Sequence, residues 1–144
     1  METITLDNDI KVFYITAKSF PDGIMDAHKK LHELVPFSTD RKYFGISRPE
    51  NGAIVYKAAA EEINQGEAEK LNCDTLVLKK GKYICLTIND YLKDIQSIDR
   101  AFKKLLSYPD LDPKGYCVEW YLTDKDVKCM IRLKESLNKE QLSN

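Results

Sequence analysis

Tyr116-Cys117-Val118-Glu119-Trp120-Tyr121-Leu122 is a run of seven residues with a single charge. It is rich in aromatic and β-branched side chains and closes on the turn-like Thr123-Asp124-Lys125-Asp126, which predicts a strand. Side chains alternate between the faces of a strand. Tyr116, Val118, Trp120 and Leu122 therefore share a face apolar enough for a core, and Cys117, Glu119 and Tyr121 share the other. A strand glutamate in solvent needs no explanation. One that lines a cavity is costly to bury and has a task. The strand alone leaves both readings open.

Working outward, the elements around this strand repeat those of the first half of the chain. Lys82–Ile88 reads as a strand, and Asn89-Asp90 as the cap of a helix whose stripe is Tyr91, Ile95, Ile98, Phe102 and Leu105. Tyr108-Pro109-Asp110 ends that helix, and Val127–Leu133 follows the Glu119 strand as the last strand. In the first half, Lys11–Ala17 reads as the opening strand. Asp22-Gly23 starts a helix through Ile24, Ala27, Leu31 and Leu34, stopped by Pro36. Tyr43–Ser47 is a strand, Arg48-Pro49-Glu50-Asn51-Gly52 a turn, and Ala53–Ile63 a longer strand. A further strand, Cys73–Leu78, joins the halves.

The order is strand, helix, strand, strand, twice, with about 70 residues between matching elements, too long and too few for a solenoid. The expected fold is α+β: two pseudo-symmetric strand-helix-strand-strand repeats forming antiparallel sheet, with two helices on one face. One domain over residues 1–134 is expected, with 135–144 as a polar, fraying tail.

Composition narrows the function classes. The chain has 144 residues, 43% hydrophobic and 31% charged, with a net charge of -1. That is long enough for a core without disulfides or metal. No basic block or stripe supports nucleic-acid binding. The apolar runs are too short to span a bilayer, and Met1–Asp7 has no signal-peptide pattern, so a cytoplasmic location is expected. Cys73, Cys85, Cys117 and Cys129 are widely spaced, without Cys-x-x-Cys pairs, and are expected to be buried reduced thiols. His28 and His32 lie four apart in His-Lys-Lys-Leu-His, which lacks the glutamate of His-Glu-x-x-His. They read as solvent-exposed residues of an amphipathic helix, and no metal site is expected. The acidic run from Glu61-Glu62 to Glu69 reads as a solvated loop.

Matching Tyr43–Ser47 to Cys117–Tyr121 sets Gly45 opposite Glu119. Gly45 either leaves space over the carboxylate or marks a bulge. Tyr14, Tyr56, Tyr83, Trp120 and Tyr121 are candidate pocket walls or core residues. Alternation sends Trp120 away from Glu119, and places Tyr83 and Tyr121 better. With Glu119 they would form a box for an ammonium group. The same carboxylate in an apolar pocket could act as general acid or base, with Tyr121 or Tyr83 stabilising a developing oxyanion.

Tyr43-Phe44-Gly45-Ile46-Ser47 with Tyr56 in the next strand, the linker strand into Gly81-Lys82-Tyr83, the helix from Tyr91, and Glu119-Trp120-Tyr121-Leu122 together resemble the gyrase-inhibitor-like (GyrI-like) small-molecule-binding family. Its relatives include effector-binding domains of multidrug-sensing transcription activators and the SOUL haem-binding proteins. The resemblance runs from about Lys11 to Leu133 and lies in order and spacing. It implies a ligand groove between the two repeats, and a carboxylate at Glu119 facing an aromatic-lined pocket for cationic or amphipathic compounds. It also implies two alternatives: a hydrolase that opens strained cyclopropane rings, using Glu119 and Tyr121, and an inhibitor that binds a protein such as gyrase. Haem, implied by the SOUL relatives, ranks lower, and no cofactor is expected. No helix-turn-helix pattern flanks the domain, so the expectation is a stand-alone small-molecule binder without direct DNA contact.

Overall fold

The computed structural model of the chain describes residues 1–135. Its elements are β1 (Glu2–Leu6), β2 (Ile10–Thr16), α1 (Ile24–Leu34), β3 (Tyr43–Glu50), β4 (Ala53–Glu61), α2 (Glu67–Lys70), β5 (Asp74–Leu78), β6 (Gly81–Ile88), α3 (Gln96–Leu106), β7 (Cys117–Tyr121) and β8 (Val127–Arg132). The fold is α+β with antiparallel strands, as the sequence pattern predicts. The chain divides into two compact units. The first is Asp9–Leu78, and the second is Met1–Asn8 with the chain from Lys79 onward.

In the first unit the strand order is β5-β2-β4-β3, and α1 packs on β2 and β4. Tyr43, Gly45, Tyr56, Ala58, Ala60 and Phe13 lie on the face toward α1, as the ladder and the contacts of Tyr43 and Tyr56 with the helix histidines show. Ala27 and Leu31, four apart, turn the helix's apolar side inward and are 2% and 0% exposed. In the second unit the order is β1-β6-β8-β7, and α3 packs on β6 and β8. Ala101 and Leu105 repeat the spacing of Ala27 and Leu31. Leu105, Ile84, Val127, Cys129, Ile131 and Leu133 form this unit's helix-side core.

Several sequence expectations need correction. The first strand is β1, not the one at Lys11. Glu2, Thr3 and Thr5 are exposed while Ile4 and Leu6 are half-buried, an alternation that was there to read in Glu-Thr-Ile-Thr-Leu. β3 runs to Glu50, through the residues expected as a turn. The reversal needs only Asn51 (φ 52°) and Gly52 (φ 82°), both left-handed as a type I′ hairpin demands. The helix expected from Tyr91 is broken. Tyr91–Lys93 is a 3-10 turn, Asp94 is out of helical geometry, and α3 begins at Gln96. Ile95 accordingly leaves the buried stripe and is 63% exposed. Asp90 does not cap with its side chain but adopts φ 51°, and its backbone N–H donates to Asp126 Oδ1 at 3.2 Å. All four cysteines are free thiols, but Cys73 and Cys117 are only half-buried. Of the expected polar tail, residues 136–144 lie outside the described residues.

The acidic run is not a solvated loop. Glu62 accepts the Ala68 N–H at 3.1 Å and pairs with Lys11 at 3.0 Å, its side chain 7% exposed. Glu67 receives both arms of the Arg41 guanidinium, at 2.9 and 2.8 Å, together with the backbone N–H of Ile63 at 2.7 Å and of Asn64 at 3.0 Å. Arg41 also donates to the Glu61 carbonyl at 2.7 Å, so one side chain ties β4 to α2. The Arg41 hydrogen bonds, against the opposing effect of burial, hold the Glu67 carboxyl down to about 2.

A depressed carboxyl contributes stability that is present above its unfolded pKa and is lost as pH falls through the folded one. The Glu67 contribution should therefore be complete at pH 5 and decline toward pH 2. Urea unfolding across that interval should show a shallower acid loss in Arg41→Met than in the wild type, with the variant already less stable at pH 7.

Candidate functional site

The strand carrying Glu119 is fixed by its ladder with β8. Glu119 stands opposite Cys129, which stands opposite Leu86 of β6. That row lies on the helix side of the second unit, because Cys129, Leu86, Cys117 and Tyr121 all belong to the cluster around Leu105. Glu119 sits between Cys117 and Tyr121 on this face and is half-buried, so the reading of a plain solvent-facing glutamate fails. The opposite face of β7 is buried at Val118, 1% exposed, but opens toward Leu122, 39% exposed.

Tyr121 donates its hydroxyl to Glu119 Oε1 at 2.5 Å, a short charge-assisted bond between residues two apart on one strand face. The Tyr91 ring lies 6.0 Å from the Tyr121 ring, tilted by 46°. Tyr91 is held there by its backbone: its N–H donates to the Lys125 carbonyl at 3.0 Å, in the β7–β8 turn. That turn is itself braced by Thr123 Oγ1, which accepts the N–H groups of Lys125 and Asp126 at 3.1 and 3.0 Å. Sequence reading placed Tyr91 in a helix stripe and missed this role. No local signal could reveal a contact made thirty residues along the chain through a turn.

Burial and the Glu119 charge both act on the groups around it. Burial, followed by the Glu119 charge, pushes the Cys117 thiol up to about 11. Burial, then Glu119 and the neighbouring thiols, pushes Cys129 up to about 12. Tyr91 is raised by burial, Glu119 and Asp124. Both thiols are therefore protonated at neutral pH and are poor nucleophiles. A carboxylate whose field disfavours every further negative charge around it favours a positive one.

Tyr83 and Trp120 are on the opposite face of the same sheet, as alternation from Leu86 and Glu119 requires. Tyr83 is 2% exposed and donates its hydroxyl to the Lys79 carbonyl at 2.6 Å. Trp120 carries Lys128 Nζ 5.9 Å from its ring. Tyr14, Tyr56 and Gly45 belong to the first unit. Tyr14 lies under Lys57 Nζ at 5.2 Å, on the side away from α1. The β3–β4 ladder runs without interruption through Gly45, opposite Ala58, so this glycine marks no bulge.

His28 and His32 are half-buried on the inner side of α1, not solvent-exposed. His28 Nε2 is 2.8 Å from the Tyr56 hydroxyl, and the His32 ring lies 5.0 Å from that of Tyr43. Aromatic surfaces under the helix draw both rings inward. Burial, with a lesser effect of His32, lowers His28 to about 4.

No family model matches the chain, and no curated protein matches it. Solved structures do. An integron cassette protein from the mobile metagenome of Vibrio cholerae superposes with a TM-score of 0.66 at 13% identity, over 92% of this chain and 95% of its own. SAV2435, solved bound to tetraphenylphosphonium, gives 0.62 at 9% identity, over 94% of each chain. A protein described as a bacterial transcription regulator from Staphylococcus aureus MU50 gives 0.61 at 12%, over 92% of this chain and 97% of its own. At these identities the likeness is one of fold. No helix among the described residues is long and apolar enough to cross a membrane.

Because His28 is held neutral in the fold, the unfolded chain binds its proton first as pH falls. Stability should be full above about pH 6.5 and decline toward pH 4. His28→Gln keeps a partner for Tyr56 without a titrating group. Its urea midpoint should change less between pH 7 and 4.5 than that of the wild type.

Proposed function

We propose that this chain is a small-molecule-binding protein of the GyrI-like class, with Glu119 as the anchor for cationic, aromatic or amphipathic compounds. The observation that carries the reading is the half-buried Glu119 carboxylate on an apolar, helix-packed sheet face, short-bonded to Tyr121 and close to Tyr91. A unit positive charge 4 Å from a carboxylate gains about 4 kcal/mol at an effective dielectric near 20. An aromatic face adds about 0.5–2 kcal/mol. A neutral compound of the same shape gains only its burial. The fold shared with SAV2435, solved with the lipophilic cation tetraphenylphosphonium, supports a cation of that kind. Tyr83, Trp120, Tyr14, Tyr56 and Gly45 enter the proposed site on the resemblance.

The second reading, a hydrolase, uses the same pair: Glu119 orients and deprotonates water, while the Tyr121 hydroxyl stabilises the substrate oxygen on which negative charge develops as the strained ring opens. The protonated thiols favour this acid–base route over a cysteine nucleophile. Product analysis on any ligand found separates it from stoichiometric binding.

Tetraphenylphosphonium and tetraphenylborate have nearly the same shape and opposite charge. The cation should raise the melting temperature of the wild type and the anion should not. Glu119→Gln should weaken cation binding by about 10- to 100-fold and abolish the discrimination. Tyr91→Ala should weaken binding while keeping the preference for the cation. Equal stabilisation by both ions, or by neither, would sink the proposal.

A further inference from the structure

We propose that the β5 edge of the first unit docks a second copy of this chain, strand to strand and antiparallel, in a two-fold homodimer. β5 pairs with β2 along one side, and no other described strand pairs with it. Its sequence, Asp74-Thr75-Leu76-Val77-Leu78, has no proline, no bulge and no lysine inside the strand to protect the edge, and its only charge is at its first residue. Its ladder with β2 is regular over all five residues, from Leu78 opposite Ile10 to Asp74 opposite Tyr14. Asp74, Thr75 and Val77 are exposed, Val77 at 47%. A straight strand of β-branched and apolar residues with a free side is the template that sheet extension uses.

Charge selects the occupant and its direction. The one acidic residue of β5 is at its start, Asp74, and the basic pair Lys79-Lys80 follows its end. Antiparallel pairing with an identical strand brings each acidic end to the other copy's basic end. Parallel self-pairing would set like charges side by side, which cross-strand neighbours disfavour. An edge so arranged is complementary to itself, as a two-fold interface must be. Pairing about Leu76 sets Thr75 opposite the second copy's Val77, twice, with all four side chains on one face.

That register makes the test specific. Sedimentation velocity of the wild type from low micromolar to millimolar concentration should show a concentration-dependent monomer–dimer equilibrium. Thr75→Lys with Val77→Lys creates two like-charged cross-strand pairs and should remain monomeric throughout. Thr75→Lys with Val77→Glu changes the same exposed positions, makes two opposite-charge pairs, and should restore the dimer. Circular dichroism and melting temperature check that both variants keep the fold. A monomeric wild type at every concentration overturns the proposal. So does a dimer that survives the double lysine change, or one lost equally in both variants.

Discussion

The bond between the Tyr121 hydroxyl and Glu119 resolves a conflict built into β7. A carboxylate on the helix side of a sheet loses much of its hydration, and burial without a partner is strongly unfavourable. The β7–β8 ladder leaves no alternative, since shifting β7 by one residue would move Glu119 to the other face and Val118 into its place. The strand instead supplies its own donor two residues away, at 2.5 Å. The flanking positions are then constrained in turn. Cys117 and Cys129 are small, apolar and held protonated, so they pack against the carboxylate without adding charge.

A second constraint concerns the chain's path. β1 precedes β2 in sequence but pairs with β6, and β5 precedes β6 but pairs with β2. Each compact unit is therefore completed at its edge by a strand that the chain makes just before the other unit's first long strand. The repeated order is then strand, strand, helix, strand, strand, with the leading strand exchanged. This explains why the second unit is discontinuous in sequence, and why β1 belongs with residues from Lys79 onward. Local pattern could identify β5 as a strand. Nothing local says that the strand before β2 should pair some eighty residues away.

What was legible followed the periodicity. Ala27 and Leu31, the alternation around Glu119, and the order of elements in each repeat all carry side-chain patterns that burial enforces. What was not legible depended on distant partners. Glu67 looks like one more acid in an acidic run until Arg41 folds over it. His28 looks like a surface residue of a polar helix until Tyr56 appears beneath it. Tyr91 fits a helix stripe by spacing, and only the backbone bond to Lys125 and the left-handed Asp90 take it out of that helix and set it beside Tyr121. Each miss involves a polar or aromatic group whose meaning lies in one long-range contact.

The two units carry the same scaffold and different chemistry, and the difference falls at one row. The interval that separates Ala27 from Ala101 and Leu31 from Leu105 also separates Gly45 from Glu119. In the first unit that row is Gly45–Ala58, two small residues on the face toward α1. The flanking rows of that face carry Tyr56 and Tyr43, and the helix lays its histidine rings against them. His28 there stays neutral to about pH 4, so the row gains a hydrogen bond but no charge. In the second unit the corresponding row is Glu119–Cys129, and the helix presents Ala101 and Leu105, which cannot neutralise a carboxylate. The Tyr121 hydroxyl donates a hydrogen bond to that carboxylate. One scaffold thus carries small, neutral residues at this row in its first unit and an ionisable acid in its second.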